Sequence, residues 1–379
     1  MARRRKKNIS LLLVSILILA VIGCYLLHYK GIIHIPFFDT VISTLNGDSS
    51  GSDSSQDDSS NSSQGPSYIT ADGVSIHFLE LGNKYTGDCT YIKAGDTDIL
   101  IDAGSRKDSA PTITSYVNQY CTDGVLEYVI ATHADADHIY AFVGEDGVFA
   151  NFECETIIDY PLTNSNTAIR RDYEALRDAE VQAGASHYTA LECWNNANGA
   201  QRSYQLGDDI TLNILYQKYY VEKTSTENNY SVCTLISYGE KHFLFTGDLE
   251  SSGEKSLLES NDLPVCELFK SGHHGSNTSN TPELISKIRP KTVILTCCCG
   301  DKFDFPHQET IDTIAPYTDK VYAPTMSNGD SWTLLNGDIK VSFNGKNLTV
   351  NCSNNNLLFK DTAWFKANRT MPAAWKQTA

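Results

Sequence analysis

The residues best suited to chemistry lie in one short stretch of the chain, THADADH at positions 132–138. It places two imidazoles and two carboxylates close together, at His133, Asp135, Asp137 and His138. This mixture of nitrogen and oxygen ligands suits borderline and hard divalent metals. A solvated acidic loop with two incidental histidines is the alternative. The metal interpretation is favoured because the same ligand types recur later in the chain.

The elements that would position these residues are predicted strands. A mostly apolar run, Val125–Ala131, comes directly before the stretch and predicts a buried strand that ends there. The later candidates also follow apolar runs: Asp248, His273, His274 and His307. Reactive side chains at strand ends sit on a rigid frame, where functional residues tend to collect.

Each later candidate also has a purely structural interpretation. Alone, Asp248 would be a turn or cap residue, the usual role of an aspartate after glycine. His307 would be a histidine at the start of a helix. In this company, the sequence favours a carboxylate that bridges two metal ions at Asp248 and a metal ligand at His307. At least one of His273 and His274 is expected to reach the metal or the leaving group, while the other packs against the protein.

Composition bounds the class of protein. The chain has 379 residues and is 41% hydrophobic, which is enough for one large domain or two small ones. Its formal net charge is -16, although positions 3–7 are all basic. The folded part is therefore strongly acidic, which disfavours tight non-specific binding to a nucleic-acid backbone. A phosphodiester substrate held mainly by metal ions remains compatible with this charge.

The N-terminal region predicts attachment to a bacterial cell membrane. A basic cytoplasmic segment, 1–7, precedes an apolar run at 8–27 that is long enough to cross a bilayer once as a signal anchor. The positive flank predicts that the rest of the chain, including the catalytic domain, is extracytoplasmic. A cleaved signal peptide is one alternative. A lipoprotein anchored at Cys24 is another, but the apolar run continues past this cysteine.

The rest of the chain divides into a linker, a domain and a tail. Residues 28–67 form a membrane-proximal segment and a Ser/Asp-rich linker, which is predicted to be disordered because it has almost nothing apolar to bury. The globular domain is predicted at 68–360, with a C-terminal tail at 361–379. Strands, then alternating strands and helices, then a second strand-rich part predict an α/β fold of two sheets covered by helices.

The eleven cysteines do not form a metal-binding pattern. No CxxC pair occurs, and Cys297–Cys299 end an apolar run in which alternate side chains point to opposite faces. They are interpreted as small buried hydrophobic residues. Outside the cell, a pair such as Cys89 with Cys121 could oxidise, but the sequence does not assign partners.

Five motifs in order resemble the metallo-β-lactamase fold. More narrowly, they are similar to the metallohydrolase domain of late-competence ComEC-type proteins, over roughly residues 73–345. The motifs are FLELG with GD and LIDAG at 78–104, THADADH at 132–138, NNYSV with TGD at 228–248, GHHGS at 272–276 and FPHQE at 305–309. The resemblance implies a four-layer αβ/βα metallo-β-lactamase sandwich that binds one or two divalent metal ions, zinc or manganese.

The resemblance also implies roles for individual residues. Its metal ligands map to His133, Asp135, Asp137, His138, Asp248, His273 and His307, with Asp248 as the bridge. Asp137 would hold or orient the nucleophile, and His273 or His274 would protonate the leaving group or stabilise charge. The expected reaction is hydrolysis of phosphodiester bonds by a metal-activated hydroxide, with DNA, a nucleotide or another small molecule as substrate.

The chain departs from the wider fold at four places. Asp135 stands where many members have histidine, which shifts the expected preference toward manganese. Asn228 and Asn229 occupy the segment that elsewhere supplies another histidine ligand, and Phe305 replaces the first histidine of an HPH pattern. Asn83–Thr86 are inserted before Gly87. The ligand changes predict that one of two metals binds weakly.

Two other functions are compatible with the same fold. One is hydrolysis of a β-lactam, lactone or thioester, although such enzymes more often carry an HxHxDH motif. The other is a non-catalytic surface binding module, which the near-complete ligand set disfavours. The membrane is the only partner that the sequence predicts besides the substrate, through the N-terminal helix.

Overall fold

The largest sheet carries the first of the candidate ligands. The structure is a computed structural model that describes residues 73–377. This sheet contains β1 Val74–Phe78, β2 Thr90–Ala94, β3 Thr97–Ile101, β4 Val125–Ala131, β5 Glu153–Asp159, β6 Ser186–Thr189, β17 Ile339–Phe343 and β18 Leu348–Cys352. Its strands lie in the order β18-β17-β1-β2-β3-β4-β5-β6. From β3 to β6 they are parallel, so their carboxyl ends meet at one edge.

The second sheet carries the later candidates. It contains β7 Ser203–Gly207, β8 Ile210–Leu215, β9 Cys233–Tyr238, β10 Lys241–Phe245, β11 Leu268–Lys270, β12 Val293–Ile294 and β14 Val321–Tyr322. The order is β14-β12-β11-β10-β9-β8-β7, and β10, β11, β12 and β14 are parallel. A third sheet, ordered β13-β15-β16, contains β13 Cys298–Cys299, β15 Thr325–Ser327 and β16 Trp332–Leu334.

Helices connect and cover these sheets. They are α1 Ala110–Val117, α2 Ala136–Ile139, α3 Val148–Asn151, α4 Ala168–Ala183, α5 Ala190–Asn195, α6 Ser251–Ser260, α7 Pro282–Ile288, α8 Gln308–Ile314 and α9 Ala363–Asn368. The longest, α4, begins where the Thr167 hydroxyl accepts a hydrogen bond from the Arg170 N–H, and it ends at Gly184 with φ 127°.

The two large sheets face each other across one core. In β10, Phe243 and Phe245 join the core that contains β1–β5, while the intervening Leu244 joins a second core with α6 and α7. This split follows from the alternation of side chains along a strand. Phe245 stacks on Phe78 of β1 with ring centroids 6.3 Å apart. Burying a phenylalanine fully stabilises the fold by about 1.5–3 kcal/mol, so this contact ties the sheets together.

The candidate ligands follow the carboxyl ends of strands in both sheets. Thr132 and His133 come directly after β4, and Asp102 comes after its parallel neighbour β3. Asp248 follows β10, and the segment with His273 and His274 follows the parallel β11. The paired sheets therefore deliver all these side chains to one shared edge.

The predicted α/β organisation is confirmed as mixed sheets with helices. The helix predicted at 166–183 is α4, and the strand predicted at 125–131 is β4. The single strand predicted over 292–298 is broken into β12 and β13, which belong to different sheets. Residues predicted as a C-terminal tail include α9, and Phe365 and Trp375 are buried in the second core.

Several predictions concern residues that the structure does not describe. The basic segment, the signal anchor, Cys24 and the linker all lie within 1–67, outside the described residues. Within residues 73–377, no helix has both the length and the apolar character needed to cross a bilayer. All ten cysteines in the described part are unpaired, including Cys89 and Cys121.

Candidate metal centre

The loop after β4 is held by close backbone contacts. The Asp88 N–H donates to the Asp137 carbonyl oxygen at 3.0 Å, and the Ala103 N–H donates to that of His138 at 2.7 Å. A Cβ on Gly104 would fall 1.5 Å from the Asp137 carbonyl oxygen, so only glycine fits there. The GD and LIDAG segments therefore hold the backbone of Asp137 and His138 in place and fix the direction of their side chains.

Four side chains converge at the buried end of this loop. The Asp248 Oδ2 atom lies 3.1 Å from Nε2 of His138 and 3.1 Å from Nε2 of His274. The Asp137 Oδ2 atom lies 3.6 Å from the same Nε2 of His274. We call Asp137, His138, Asp248 and His274 the inner half of the site. Two carboxylates and two imidazoles facing one point form a donor set for a divalent cation.

Hydrogen bonds on the far side of each ring fix its tautomer. The Nδ1 atom of His138 lies 2.7 Å from Asp102 Oδ2, and that of His274 lies 2.9 Å from the Thr296 carbonyl oxygen. Carboxylate and carbonyl oxygens only accept hydrogen bonds, so both Nδ1 atoms carry the proton. The Nε2 lone pairs therefore face Asp248, as expected of imidazoles oriented for a metal.

Several of these donor atoms are buried without a hydrogen-bond partner. They are the Nε2 atoms of His138 and His274 and the Oδ1 atom of Asp248, and the nearby Nε2 atom of His133 and both carboxylate oxygens of Asp88 also have no hydrogen-bond partner. A buried polar atom with no partner costs free energy, and native proteins rarely leave one unpaired. A divalent cation among these atoms would remove that cost. The residues present therefore fit the metal that the motifs predict.

The charges around the inner half are strongly coupled. Burial lowers the pKa of His138 and His274, but facing carboxylates, Asp248 foremost, outweigh it and hold both pKa values well above the ordinary range. Burial raises the pKa of Asp137, yet the hydrogen bond and charge of His274 bring it down to about 2. The carboxylates thus remain charged, and without a metal the imidazoles would bind protons in its place.

Asp88 and Lys270 form a buried ion pair behind the inner half. The Lys270 Nζ atom lies 2.5 Å from Asp88 Oδ2, and both side chains are almost fully buried. Asp88 has a donor atom within 4.8 Å of those of His138, Asp248 and His274. However, it faces Nδ1 of His274 at 3.1 Å and Nδ1 of His138 at 3.8 Å, the protonated side of both rings. We therefore assign Asp88 to positioning the two imidazoles rather than to ligation.

His133 and Asp135 form a second, looser group beside the first. The Nε2 atom of His133 lies 3.5 Å from Asp135 Oδ2, and its ring centroid lies 4.1 Å from that of His138. The Asp135 side chain is 44% exposed, whereas His133 is fully buried. We call His133 and Asp135 the outer half. That Asp248 bridges the two halves remains a prediction.

Two asparagines close the outer half without offering it a ligand. The Asn229 Nδ2 group donates to Ser252 Oγ at 3.1 Å, and its Oδ1 atom accepts from the Glu250 N–H at 3.1 Å. The Asn228 Nδ2 group donates to Glu250 Oε1 at 3.0 Å. Both amides are thus committed to residues at the start of α6, Asn229 to Glu250 and Ser252 and Asn228 to Glu250.

His273 lies at the mouth of the site. Its Nε2 atom is 3.8 Å from Asp248 Oδ2, its Nδ1 atom is 3.0 Å from Thr278 Oγ1, and its side chain is 20% exposed. Burial lowers its pKa, although Asp248 opposes the change. Both His273 and His274 adopt the left-handed conformation, with φ 48° and 55°. That backbone turns His274 inward and leaves His273 outside, and such strain is typical of functional sites.

His307 lies outside both halves. Its Nδ1 atom accepts from the Asn277 N–H at 2.9 Å, and its Nε2 atom lies 3.1 Å from the Phe303 carbonyl oxygen. Both ring nitrogens are therefore used within the protein. The ring contacts Phe305, which in turn contacts His273 and His274. Ligation by His307 and by His273 remains a prediction.

The structure thus brings together most of the predicted site and adds to it. Asp137, His138, Asp248 and His274 meet directly, with His133 and Asp135 beside them. Sequence reasoning gave no role to three positioning residues: Asp88, Asp102 and Lys270. Asp88 and Asp102 lie in the quoted GD and LIDAG motifs, Asp102 follows β3 and Lys270 ends β11, but no local pattern shows that Asp88 and Lys270 pair.

Comparison with known proteins finds relatives that match part of the chain. No family model matches the chain. It is 24% identical over 197 residues to ComE operon protein 3 of Bacillus subtilis, a match that spans 52% of this chain and 23% of the relative. It is 28% identical over 120 residues to Recombination protein 2 of Haemophilus influenzae, spanning 32% and 14%. The chain resembles ComEC-type competence proteins. The match covers less than a quarter of either relative.

A solved structure gives a weaker comparison. The metallo-β-lactamase fold protein YhfI of Bacillus subtilis is 12% identical to this chain, with a TM-score of 0.39 over 69% of this chain and 99% of that protein. The support for a function comes from the site and from the curated relatives. A buried Asp/His donor set, with the similarity to ComEC-type proteins, supports a metal-dependent hydrolase.

Proposed function

We propose that this chain is an extracytoplasmic, membrane-tethered hydrolase that uses one or two divalent metal ions to cleave phosphodiester bonds. The single observation that carries the proposal is the convergence of the unpartnered Nε2 atoms of His138 and His274 on the Asp248 carboxylate. The preference for phosphodiesters in DNA or nucleotide-like molecules rests on the similarity to ComEC-type proteins. Tethering rests on the apolar run at 8–27.

The proposed metal ligands form two sites that differ in metal affinity. On a four-layer αβ/βα metallo-β-lactamase scaffold, Asp137, His138, Asp248 and His274 would hold the first ion, and His133 and Asp135 would share a weaker second ion through Asp248. Zinc and manganese both accept this mixture of imidazole and carboxylate. When bound, such an ion acidifies water and polarises a phosphoryl oxygen.

The chain's own residues orient the reactants and handle the proton. Asp137 is the inner-half residue that reaches solvent, with its side chain 34% exposed, and its carboxylate can orient an attacking water. His273 is neutral near pH 7 because its pKa is lowered, and its Nε2 atom can take or return a proton at the mouth of the site. Lys270 keeps Asp88 charged, so the two inner imidazoles stay fixed.

Turnover of two model substrates tests the proposal. The full chain, purified in detergent and supplied with zinc or manganese, should hydrolyse bis-p-nitrophenyl phosphate and not nitrocefin. The His138→Ala variant should lose that activity while it keeps the circular dichroism spectrum of the wild type. Hydrolysis of nitrocefin alone would replace the phosphodiester assignment, and unchanged turnover by His138→Ala would remove the inner half from the chemistry.

A further inference from the structure

A cavity of about 400 Å³ opens beside the metal centre. Asp137, an inner-half residue, forms part of its wall. The other lining residues come from separate segments of the chain and include Lys84, Tyr85, Arg106, Asp301, Lys302 and Phe303. A cavity of this size falls in the range of small-ligand sites. A molecule bound in this cavity would therefore lie directly beside the metal centre.

Three cationic side chains line the cavity of this otherwise acidic protein. Within the described residues, no ion pair engages Arg106 or Lys302, while Lys84 lies 3.6 Å from the fully exposed Asp330. The carboxylates of the cavity have other partners. Asp137 faces His274, and Asp301 Oδ1 accepts a hydrogen bond from the Phe303 N–H at 2.9 Å. The cations are therefore available to bind a negatively charged ligand.

Two exposed aromatic rings accompany these cations. Tyr85 is 39% exposed and Phe303 is 50% exposed. The Arg106 guanidinium lies 4.7 Å from the centre of the Tyr85 ring, and Lys302 Nζ lies 4.5 Å from that of Phe303. Phe303 also stacks on the buried Phe305, with ring centroids 5.4 Å apart, so Phe305 supports one face of the Phe303 ring. A supported ring beside a cation can stack on a planar group that carries a phosphate.

Most of the cationic and aromatic side chains of the cavity lie outside the metal motifs. Lys84 and Tyr85 belong to the four-residue insertion Asn83–Thr86, and Lys302 and Phe303 lie in the loop before FPHQE. The insertion is anchored, because the buried Asn83 donates to Asp108 Oδ1 at 3.0 Å and the Thr86 hydroxyl accepts from the Cys298 N–H at 3.0 Å. It therefore presents Lys84 and Tyr85 on a fixed base.

We infer that this cavity binds one nucleotide unit next to the scissile bond, with its base against Tyr85 and Phe303 and its phosphates near Lys84, Arg106 and Lys302. The inference rests on the proposed function and names the part of the substrate that the metal ligands do not select. A planar ring with adjacent phosphates is the shared chemistry of a single strand and a small dinucleotide. A duplex keeps its bases stacked inside and cannot offer one to the rings.

Binding without metal tests the inference separately from turnover. The probe is a fluorescein-labelled oligothymidylate, added to the full chain in EDTA and followed by fluorescence anisotropy. The Tyr85→Leu/Phe303→Leu variant should bind it at least about fivefold more weakly, the effect of losing stacking on a base. The Lys302→Gln variant should lower the salt dependence, log affinity against log salt, by about 0.7. The matched controls are Tyr317→Leu, equally exposed at 39%, and Lys346→Gln.

Competition identifies the occupant. Unlabelled thymidylyl dinucleotide should displace the probe, and an abasic strand of equal length should bind weakly and equally to wild type and the double variant. Equal affinity of wild type and double variant for the probe would overturn the inference, as would a duplex that binds as tightly as the single strand. Either result leaves hydrolysis of bis-p-nitrophenyl phosphate by the wild type unaffected, so failure of the cavity and failure of the proposed chemistry are distinguishable.

Discussion

The two halves of the metal centre differ in how fully the protein prepares them. In the inner half, His138 and His274 are buried, each is held from behind by an acceptor, and both face Asp248 at 3.1 Å. In the outer half, the carboxylate that faces His133 Nε2 belongs to Asp135, whose side chain is 44% exposed. Asn228 and Asn229 are committed to residues at the start of α6. The same loop thus builds one rigid site and one open site, which predicts unequal metal affinities.

Removing one histidine from each half should reveal the largest difference in metal binding between the halves. The His138→Ala variant should lose metal affinity by more than about 100-fold, beyond the usual effect of changing a residue that only supports a ligand. The His133→Ala variant should keep one equivalent of metal. Elemental analysis after gel filtration measures both. Equal loss from the two variants would show that the halves bind metal as one unit.

Lys270 tests the support of the inner half. The Lys270→Met variant leaves the buried Asp88 carboxylate without its ion pair, which should destabilise the metal-free protein by about 3–5 kcal/mol. The surface pair of Lys241 with Glu267 provides the control, since Lys241→Met should change stability little. Urea unfolding in EDTA gives both values. If Lys270→Met were as stable as the control, Asp88 would not be a charged support.

Asp102 tests whether imidazole orientation matters. It accepts from the Thr132 N–H, the Thr132 hydroxyl and His138 Nδ1, so an amide in its place must turn a donor toward other donors. The Asp102→Asn variant should bind metal about 10–100-fold more weakly than wild type. A metal-competition titration measures the change. The surface variant Asp178→Asn should match wild type, and a wild-type affinity in Asp102→Asn would refute the positioning role.

Asp338 provides a pH dependence that is independent of both halves. Burial, with help from Glu80, raises its pKa to about 6. The folded state therefore favours the protonated form, so its contribution to stability is complete below about pH 4 and is lost as the pH rises through about 6. The loss should be on the order of 1–2 kcal/mol, because the side chain is partly solvated. Urea unfolding of Asp338→Asn across this range should show a smaller decline than wild type. An equal decline in both proteins would assign it to other groups.

The outer half can also be strengthened. The Asp135→His variant adds an imidazole at an exposed position without disturbing the core. Its second equivalent of zinc should bind roughly tenfold more tightly than that of wild type. Isothermal titration with zinc measures the gain, and Asp135→Ala is the control. No gain would mean that Asn229, rather than Asp135, limits the outer half.

The sequence predicted the fold class and most of the side chains that meet, because both follow from local patterns. Strand periodicity located β4, and the ligand types after it were visible. The residues alone left open which of His273 and His274 turns inward, and the resemblance assigned the ligand to His273. The choice depends on two successive left-handed residues. Sequence reasoning also passed over Asp88 and Lys270, because an ion pair between distant residues has no local pattern. The break between β12 and β13 follows from sheet pairing, which periodicity does not encode. The capping box of Thr189 and Glu192, by contrast, was a local signal for α5 that went unused.

The stoichiometry of tightly held metal tests the central claim most directly. The full chain, loaded with zinc or manganese and then dialysed against metal-free buffer, should retain one equivalent per chain by elemental analysis, while a second is lost. Retention of two equivalents would contradict the asymmetry between the halves. Retention of none would contradict the inner half as a metal site.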